Sequence, residues 1–240
     1  MRLLEAAFPD DPALDTALSR AVMFRVARGE LPETLRLARP GRAIAFSKRD
    51  LVSPGFGPAV RAARDAGFEP IVRLAGGRAA VFHEGTLELA HAQPDHDPRA
   101  GIQERFEATA RRIERALAGL GVDARIGEVP GEYCPGRWSV NAGGERKLAG
   151  LGQRVVAGAS HTGAVIVAGG EDVVRDALVP VYEALGLDWD PSTVGAVGLD
   201  WDALRDALVA EYARDHELEP AVLDEDTLEL ARRLADEHRA

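Results

Sequence analysis

The sequence predicts an α+β fold, with mostly antiparallel or mixed sheets packed against helices. Two observations carry this. Short apolar runs of strand length stand next to one another, split by glycine turns rather than by intervening helices. Segments of helical period flank these strand clusters and would pack on the sheet they form. The chain has 240 residues, 46% of them hydrophobic, enough for one large domain with a real core. There is no internal repeat, low-complexity tract or heptad pattern.

The elements follow in order. Leu14, Leu18, Ala21 and Val22 recur at helical spacing behind Asp11, a candidate N-cap, so residues 11–28 read as a helix. AIAFS at 43–47 is a short strand, and a helix from Pro58 to Ala66 stops at Gly67. EPIVRL, AAVFHE and TLELAHA are three strand-like runs divided by Gly76-Gly77 and by Gly85. QPDHDPRAG reads as a loop, followed by a long helix from Ile102 to Ala118. A second strand cluster comprises DARIGEV, RWSVNA, RKLAGLGQRVV and TGAVIVAG, with a hairpin turn at Gly143-Gly144. EDVVRDALVPVYEAL is a helix. After a break near Pro191 come two charged amphipathic helices, so residues 1–191 form the main domain and 192–240 a short helical C-terminal extension.

Composition narrows function. No apolar run is long enough to cross a bilayer, and the N-terminus is interrupted by acids and prolines before any signal-peptide core develops. One cysteine and no targeting segment point to the cytoplasm. The formal charge of −10 argues against general nucleic-acid binding, although Arg137, Arg146, Lys147 and Arg154 gather positive charge locally. The six histidines show no metal-ligand spacing, and neither a phosphate loop nor a GxGxxG fingerprint occurs, so no metal is expected.

Two constellations carry chemistry. In RLAGGRAAVFHEGTLELA, Gly76 and Gly77 permit close approach of backbone to a ligand, Arg73 offers a planar fork for an anion, and His83 ends the next strand. A plain glycine hairpin with a buried-edge histidine gives the same pattern. In EYCPGRWSVNAGGERKLAGLGQR, the lone Cys134 lies in a turn-rich segment and Lys147 follows closely enough to fold back towards it. A cation near a thiol stabilises the thiolate, the form that attacks acyl carbons. Alternatively, Cys134 is a small buried hydrophobe and Lys147 an exposed turn lysine.

Together and in this order, these segments resemble the lipoate–protein ligase and octanoyltransferase superfamily, which shares a fold with biotin–protein ligases. RLAGGRAAVFHEGTLELA is similar to its RxSGGxAVxxxxGxLNxS segment. ERKLAGLGQR is similar to its GxKxAGxAQR segment, whose lysine maps to Lys147. The matching blocks cover about 73–92 and 131–168, and the cysteine in the preceding loop is most similar to the cysteine-dependent amidotransferase branch.

The resemblance implies a biotin/lipoate-ligase-like catalytic domain over 1–191. It also implies an enzyme that moves an octanoyl or lipoyl group through a thioester on Cys134. The implied donor is the glycine-cleavage H protein, and the acceptors are lipoyl domains of 2-oxoacid dehydrogenases. Lys147 would tune the thiol and assist the incoming amine. Arg73, Gly76, Gly77, His83 and Gly150 would bind the acyl group or its oxyanion. No cofactor is implied.

The first alternative is an ATP-dependent ligase acting through an acyl-adenylate with Mg. The second is a non-catalytic lipoyl-domain or acyl-chain binding protein. Ala75 stands where the family usually has serine and Glu88 where it has asparagine. Arg78 is bulky for its position, and His83 is reminiscent of the ligase branch. These departures bear on the acyl donor more than on the acyl chemistry.

Overall fold

The computed structural model describes residues 1–240. In chain order the first elements are β1 (Arg2–Leu4), α1 (Pro12–Ala27), β2 (Thr34–Ala38), β3 (Ala43–Phe46), α2 (Lys48–Leu51), α3 (Phe56–Asp65) and β4 (Glu69–Val72). Then come β5 (Ala80–Phe82), β6 (Thr86–Asp95), α4 (Ile102–Gly119), β7 (Ala124–Ile126), β8 (Val140–Ala142) and β9 (Arg146–Val156). The last are β10 (Gly158–Val167), α5 (Glu171–Leu185), α6 (Trp201–Ala213), β11 (Glu219–Ala221) and α7 (Glu225–Leu234).

One large sheet has the order β11-β1-β2-β6-β10-β9-β8-β7, and a small one β4-β3-β5. β1 pairs in parallel with both β11 and β2, and β3 with β4, while the remaining pairings are antiparallel. The sheets are therefore mixed and packed with helices, an α+β fold.

Strand alternation divides the large sheet into two unlike faces. Leu35, Leu37, Leu87, Leu89, Ala164 and Ile166 point one way and pack with Ile113 and Leu117 of α4 and Leu204 and Leu208 of α6. Register pairs Arg36 with Ala90, Glu88 with Val165, Val165 with Gly150, and Gly163 with Gly152. Those residues share the opposite face, beneath α1 and the small sheet. This second face, poor in large apolar side chains, carries the candidate site.

Local chemistry explains the boundaries. The Asp11 carboxylate accepts from Leu14 N at 3.2 Å, and Pro12 opens α1 where its missing N–H costs nothing. Two expectations need correction. The loop at 93–101 starts later than the sequence suggests, because β6 runs to Asp95, paired with Gly158. β2 stops opposite Ala92, so β6 has an open edge beyond that point, where Pro94 is tolerated. RWSVNA contributes only the strand Val140–Ala142; its first half closes the cysteine loop.

The segment after residue 191 contains α6 and α7 and also β11, which adds to the sheet edge beside β1. Arg112 and Arg115 of α4 pair with Asp215 and Glu211. Arg25 of α1 bonds Asp224 and the Thr227 hydroxyl of α7. No helix is long and apolar enough to cross a membrane.

Candidate active site

The loop joining β7 to β8 is built around Glu132. Its carboxylate accepts from Val129 N at 3.1 Å, Gly136 N at 3.0 Å and Ser139 Oγ at 2.6 Å. Lys147 Nζ approaches the same carboxylate at 3.1 Å, with both side chains fully buried. The ammonium also donates to Tyr133 O at 2.9 Å and Cys134 O at 2.8 Å, so all three of its N–H groups are engaged. Gly150 allows this route: a Cβ there would lie 3.2 Å from Lys147 Cε. A buried ion pair is tolerable only when its remaining hydrogen-bonding capacity is met, and here it is.

Cys134 is the one non-glycine residue with positive φ, at 42°. That left-handed conformation costs roughly 1 kcal/mol or more and persists only where the surroundings dictate it. Its N–H donates to Tyr182 Oη at 2.9 Å, Tyr182 in turn donates to Ala79 O at 3.0 Å, and its carbonyl is held by Lys147. The sulfur is thereby turned out of the loop towards the Gly76-Gly77 segment. Arg78 N donates to Sγ at 3.2 Å, and Arg73 Nη1 lies 3.7 Å away. Burial pushes the thiol up, but Arg73, then Lys147, then the Arg78 N–H outweigh it, leaving the thiol below its ordinary value. Gly77 has to be glycine: its φ is 117°, and a Cβ would come within 2.8 Å of Sγ.

The half-buried thiol faces an open pocket of about 400 Å³, lined by Gly76, Gly77, Ile102, Phe106, Trp138 and Leu151 among others. Across the floor Gly152, which lines this pocket, pairs with Gly163, which lines a second and narrower cavity of about 60 Å³. Ala75 and Arg73 fill the space above Gly152: a Cβ there would meet Ala75 Cβ at 2.9 Å and Arg73 Nη2 at 3.1 Å. The narrow cavity is therefore a separate slot on the other side of Arg73 and Ala75, with no lining residue in common with the thiol pocket.

Six of the seven residues singled out from sequence come together here: Cys134, Lys147, Arg73, Gly76, Gly77 and Gly150. His83 does not. It is buried beside Gly85 and Gly170, its Nδ1 accepts from Gly85 N at 3.1 Å, and it lines neither cavity. Burial lowers its basicity, which keeps the ring neutral. Lys147 touches the cysteine's backbone rather than its sulfur, and the cation within reach of the sulfur is Arg73. Sequence reasoning missed Glu132, Tyr182 and the Arg78 amide. Glu132 had a weak signal, an acid two residues before the cysteine, whereas nothing local marks a tyrosine 48 positions away. No group of His, Cys, Asp and Glu is arranged to hold a metal ion.

The fold is that of the lipoate protein ligases. A bi-partite archaeal lipoate protein ligase from Thermoplasma acidophilum superposes with a TM-score of 0.72 at 21% identity, covering 98% of this chain and 91% of that one. A lipoate-protein ligase A bound with ATP gives 0.76 at 20% identity, covering 98% and 94%. Residues 11–184 match the family model of the lipoyl protein ligase A/B catalytic domain, and the chain belongs to that family.

Among curated relatives, the octanoyl-[GcvH]:protein N-octanoyltransferase of Geobacillus kaustophilus is 28% identical over 174 residues, 72% of this chain and 60% of its own length. That of Bacillus velezensis is 32% identical over 142 residues, 59% of this chain and 49% of its own. The lipoyl-[GcvH]:protein N-lipoyltransferase of Listeria monocytogenes is 25% identical over 167 residues, 70% of this chain and 58% of its own. The chain thus spans about half to three-fifths of the length of these relatives.

Proposed function

We propose that this protein is a cysteine-dependent acyltransferase of the cytoplasm. It would move an octanoyl or lipoyl group from a carrier such as the glycine-cleavage H protein to the lysine of lipoyl domains. The observation that carries the reading is Cys134 Sγ, turned into a pocket with Arg73 3.7 Å away and the Arg78 N–H at 3.2 Å. The names of the curated relatives support the acyl donor.

In the first half-reaction the thiolate attacks the carrier's acyl carbonyl. A C–S bond forms, the C–N bond to the carrier lysine breaks, and the leaving nitrogen takes a proton from solvent to depart as a neutral amine. In the second, the neutral ε-amine of the acceptor lysine attacks the thioester, a C–N bond forms, the C–S bond breaks to restore the thiolate, and the nitrogen releases one proton to solvent. Arg73 and the Arg78 N–H stabilise the sulfur anion in both steps. Lys147 supports Cys134 through the loop carbonyl and through its charge. Exposed Arg137 and Arg154 offer a cationic rim for an acidic lipoyl domain. The chemistry needs no nucleotide.

The test is transfer without nucleotide, read by intact mass. Incubation with octanoylated H protein should add one octanoyl group to the wild type and none to Cys134→Ala. Transfer that requires ATP and survives Cys134→Ala would point to the ligase alternative. Binding without turnover in either condition would point to a non-catalytic carrier.

A further inference from the structure

One side chain bonds both segments that meet at the sulfur, and it belongs to neither. Tyr182 sits near the end of α5 with 2% of its surface exposed. Its ring packs against Trp189, with centroids 5.3 Å apart, which gives the hydroxyl a fixed direction. The roles in its two hydrogen bonds are forced by chemistry. A carbonyl cannot donate, so the phenolic proton goes to Ala79 O at 3.0 Å. An amide N–H cannot accept, so Oη receives the Cys134 N–H at 2.9 Å. Burial, then the charge of the nearby cysteine, holds the phenol well above its ordinary value, so that proton is present at neutral pH.

These bonds close a ring. Arg78 N donates to Cys134 Sγ at 3.2 Å, and Ala79, the next residue, accepts from the hydroxyl that holds Cys134 N. The nucleophile is thereby gripped at its nitrogen and at its sulfur by groups tied together through one oxygen. The Arg78 side of the ring is anchored independently. Its Nη1 lies 3.1 Å from Oδ1 of fully buried Asp50, whose Oδ2 accepts from Ser47 N at 2.8 Å. The Cys134 side is not, because its φ of 42° is the costly left-handed conformation. Lys147 holds the carbonyl of Cys134, and Tyr182 alone holds its amide. Without the hydroxyl, the Cys134 N–H and the Ala79 C=O lose their partner together. Cys134 is then released towards negative φ, which swings its sulfur off the Arg78 N–H.

Resting on the acyl-transfer reading above, we propose that Tyr182 is a positioning residue, whose hydroxyl sets the nucleophile against the backbone donor that stabilises its anion. It lines neither cavity, so it acts through Cys134 and not on the acyl group. The groups around the sulfur are Arg73 and Arg78 of the glycine loop, Lys147 of β9, Glu132 and Tyr133 of its own loop, and Tyr182 of α5. Arg73 and Lys147 act on the sulfur by charge, whereas Tyr182 acts by direction.

The test compares Tyr182→Phe, which removes only the hydroxyl, with Trp189→Phe, which loosens the same aromatic packing and keeps the hydroxyl. Cys134, the only cysteine, is alkylated with iodoacetamide across a range of pH and followed by intact mass. Tyr182→Phe should move the midpoint of the alkylation profile to higher pH. Its single-turnover acylation by octanoylated H protein should slow by about tenfold at neutral pH, the size expected for one hydrogen bond to a charged group. The carrier concentration giving half the maximal rate should stay the same. Trp189→Phe should lower the urea midpoint and leave the alkylation profile where the wild type has it. A Tyr182→Phe profile that coincides with the wild type overturns the proposal, as does an equal shift in Trp189→Phe. If the wild type is not acylated, the acyl-transfer reading falls, and the alkylation profiles still judge the positioning role. If Tyr182→Phe does not fold, the wild-type amide of Cys134 decides, since isotopic labelling of cysteine nitrogen gives a single resonance. Protection of that amide from hydrogen exchange supports the proposal, and free exchange overturns it.

Discussion

Two buried ion-pair networks lie on the same side of the large sheet, one under the cysteine loop and one at the end of the slot, and they are completed differently. Around Glu132 every group finds a protein partner: two backbone amides, a serine hydroxyl and the Lys147 ammonium converge on one carboxylate. Around Arg36 two carboxylates face one guanidinium, and the neighbouring His161 keeps a free ring nitrogen. A closed network fixes backbone, and here it fixes the strained conformation of Cys134. The open one leaves a buried polar atom without a partner.

The largest effect that sharpens this contrast falls on the sulfur. Cys134→Ser should lower nucleotide-free transfer by about a thousandfold or more, because a serine hydroxyl is a far weaker nucleophile without a general base within reach. Its urea midpoint should barely change, which separates chemistry from stability. The closed network is broken by Lys147→Met, which leaves the Glu132 carboxylate buried and unpaired. Destabilisation of about 3–5 kcal/mol is expected in urea titration. Adding Glu132→Gln should recover part of it, whereas two independent contacts would give additive losses.

A smaller effect tests which cation governs the thiol. Removing Arg73 as Arg73→Gln should raise the thiol towards its ordinary value of 9.0 and move the rising limb of the acylation rate to higher pH. At neutral pH the rate should fall, because the thiolate is the attacking form and its share of the cysteine shrinks as the thiol rises. The conservative Arg73→Lys should recover some of the charge effect but not the planar contact with Arg78 O at 2.9 Å.

Much of this site is legible in the chain, and the parts that are not share a cause. The Gly76-Gly77 turn and the GERKLAG strand signal themselves because glycine spacing and a lysine in a β-pattern are local properties. The strand TLRLA at β2 escapes a sequence reading since it is short and lies between prolines, yet it contributes Arg36 to the slot's end. Tyr182, Arg36 and Asp15 act over separations that no local pattern encodes. Gly150 stands out in sequence for its backbone, and its main consequence is steric, since it lets Lys147 lie along the strand. His83 is placed at the rim by its position in a motif, but the turn at Gly85 directs it into the gap beside Gly170. A motif fixes residue order, and the direction of a side chain depends on which strand face the pairing assigns.

The last expected effect concerns pH, and it distinguishes the open network from the closed one. Burial, opposed by Arg36 and reinforced by neighbouring Asp15, pushes the Glu88 carboxyl up to about 7, from an ordinary 4.5. The native state therefore holds a proton that the unfolded chain has released between those values. Stability from this group is fully present below about 4.5 and is lost as pH rises through about 7, the opposite sign to a salt-bridged carboxylate of depressed value. Urea midpoints measured across that window should fall with rising pH, and Glu88→Gln, which cannot ionise, should flatten the slope. Lys147→Met should leave that slope in place, because the closed network lies elsewhere on the sheet. A slope unchanged by Glu88→Gln would mean that Arg36 holds both carboxylates ionised at neutral pH, and the end of the slot would then carry a net negative charge.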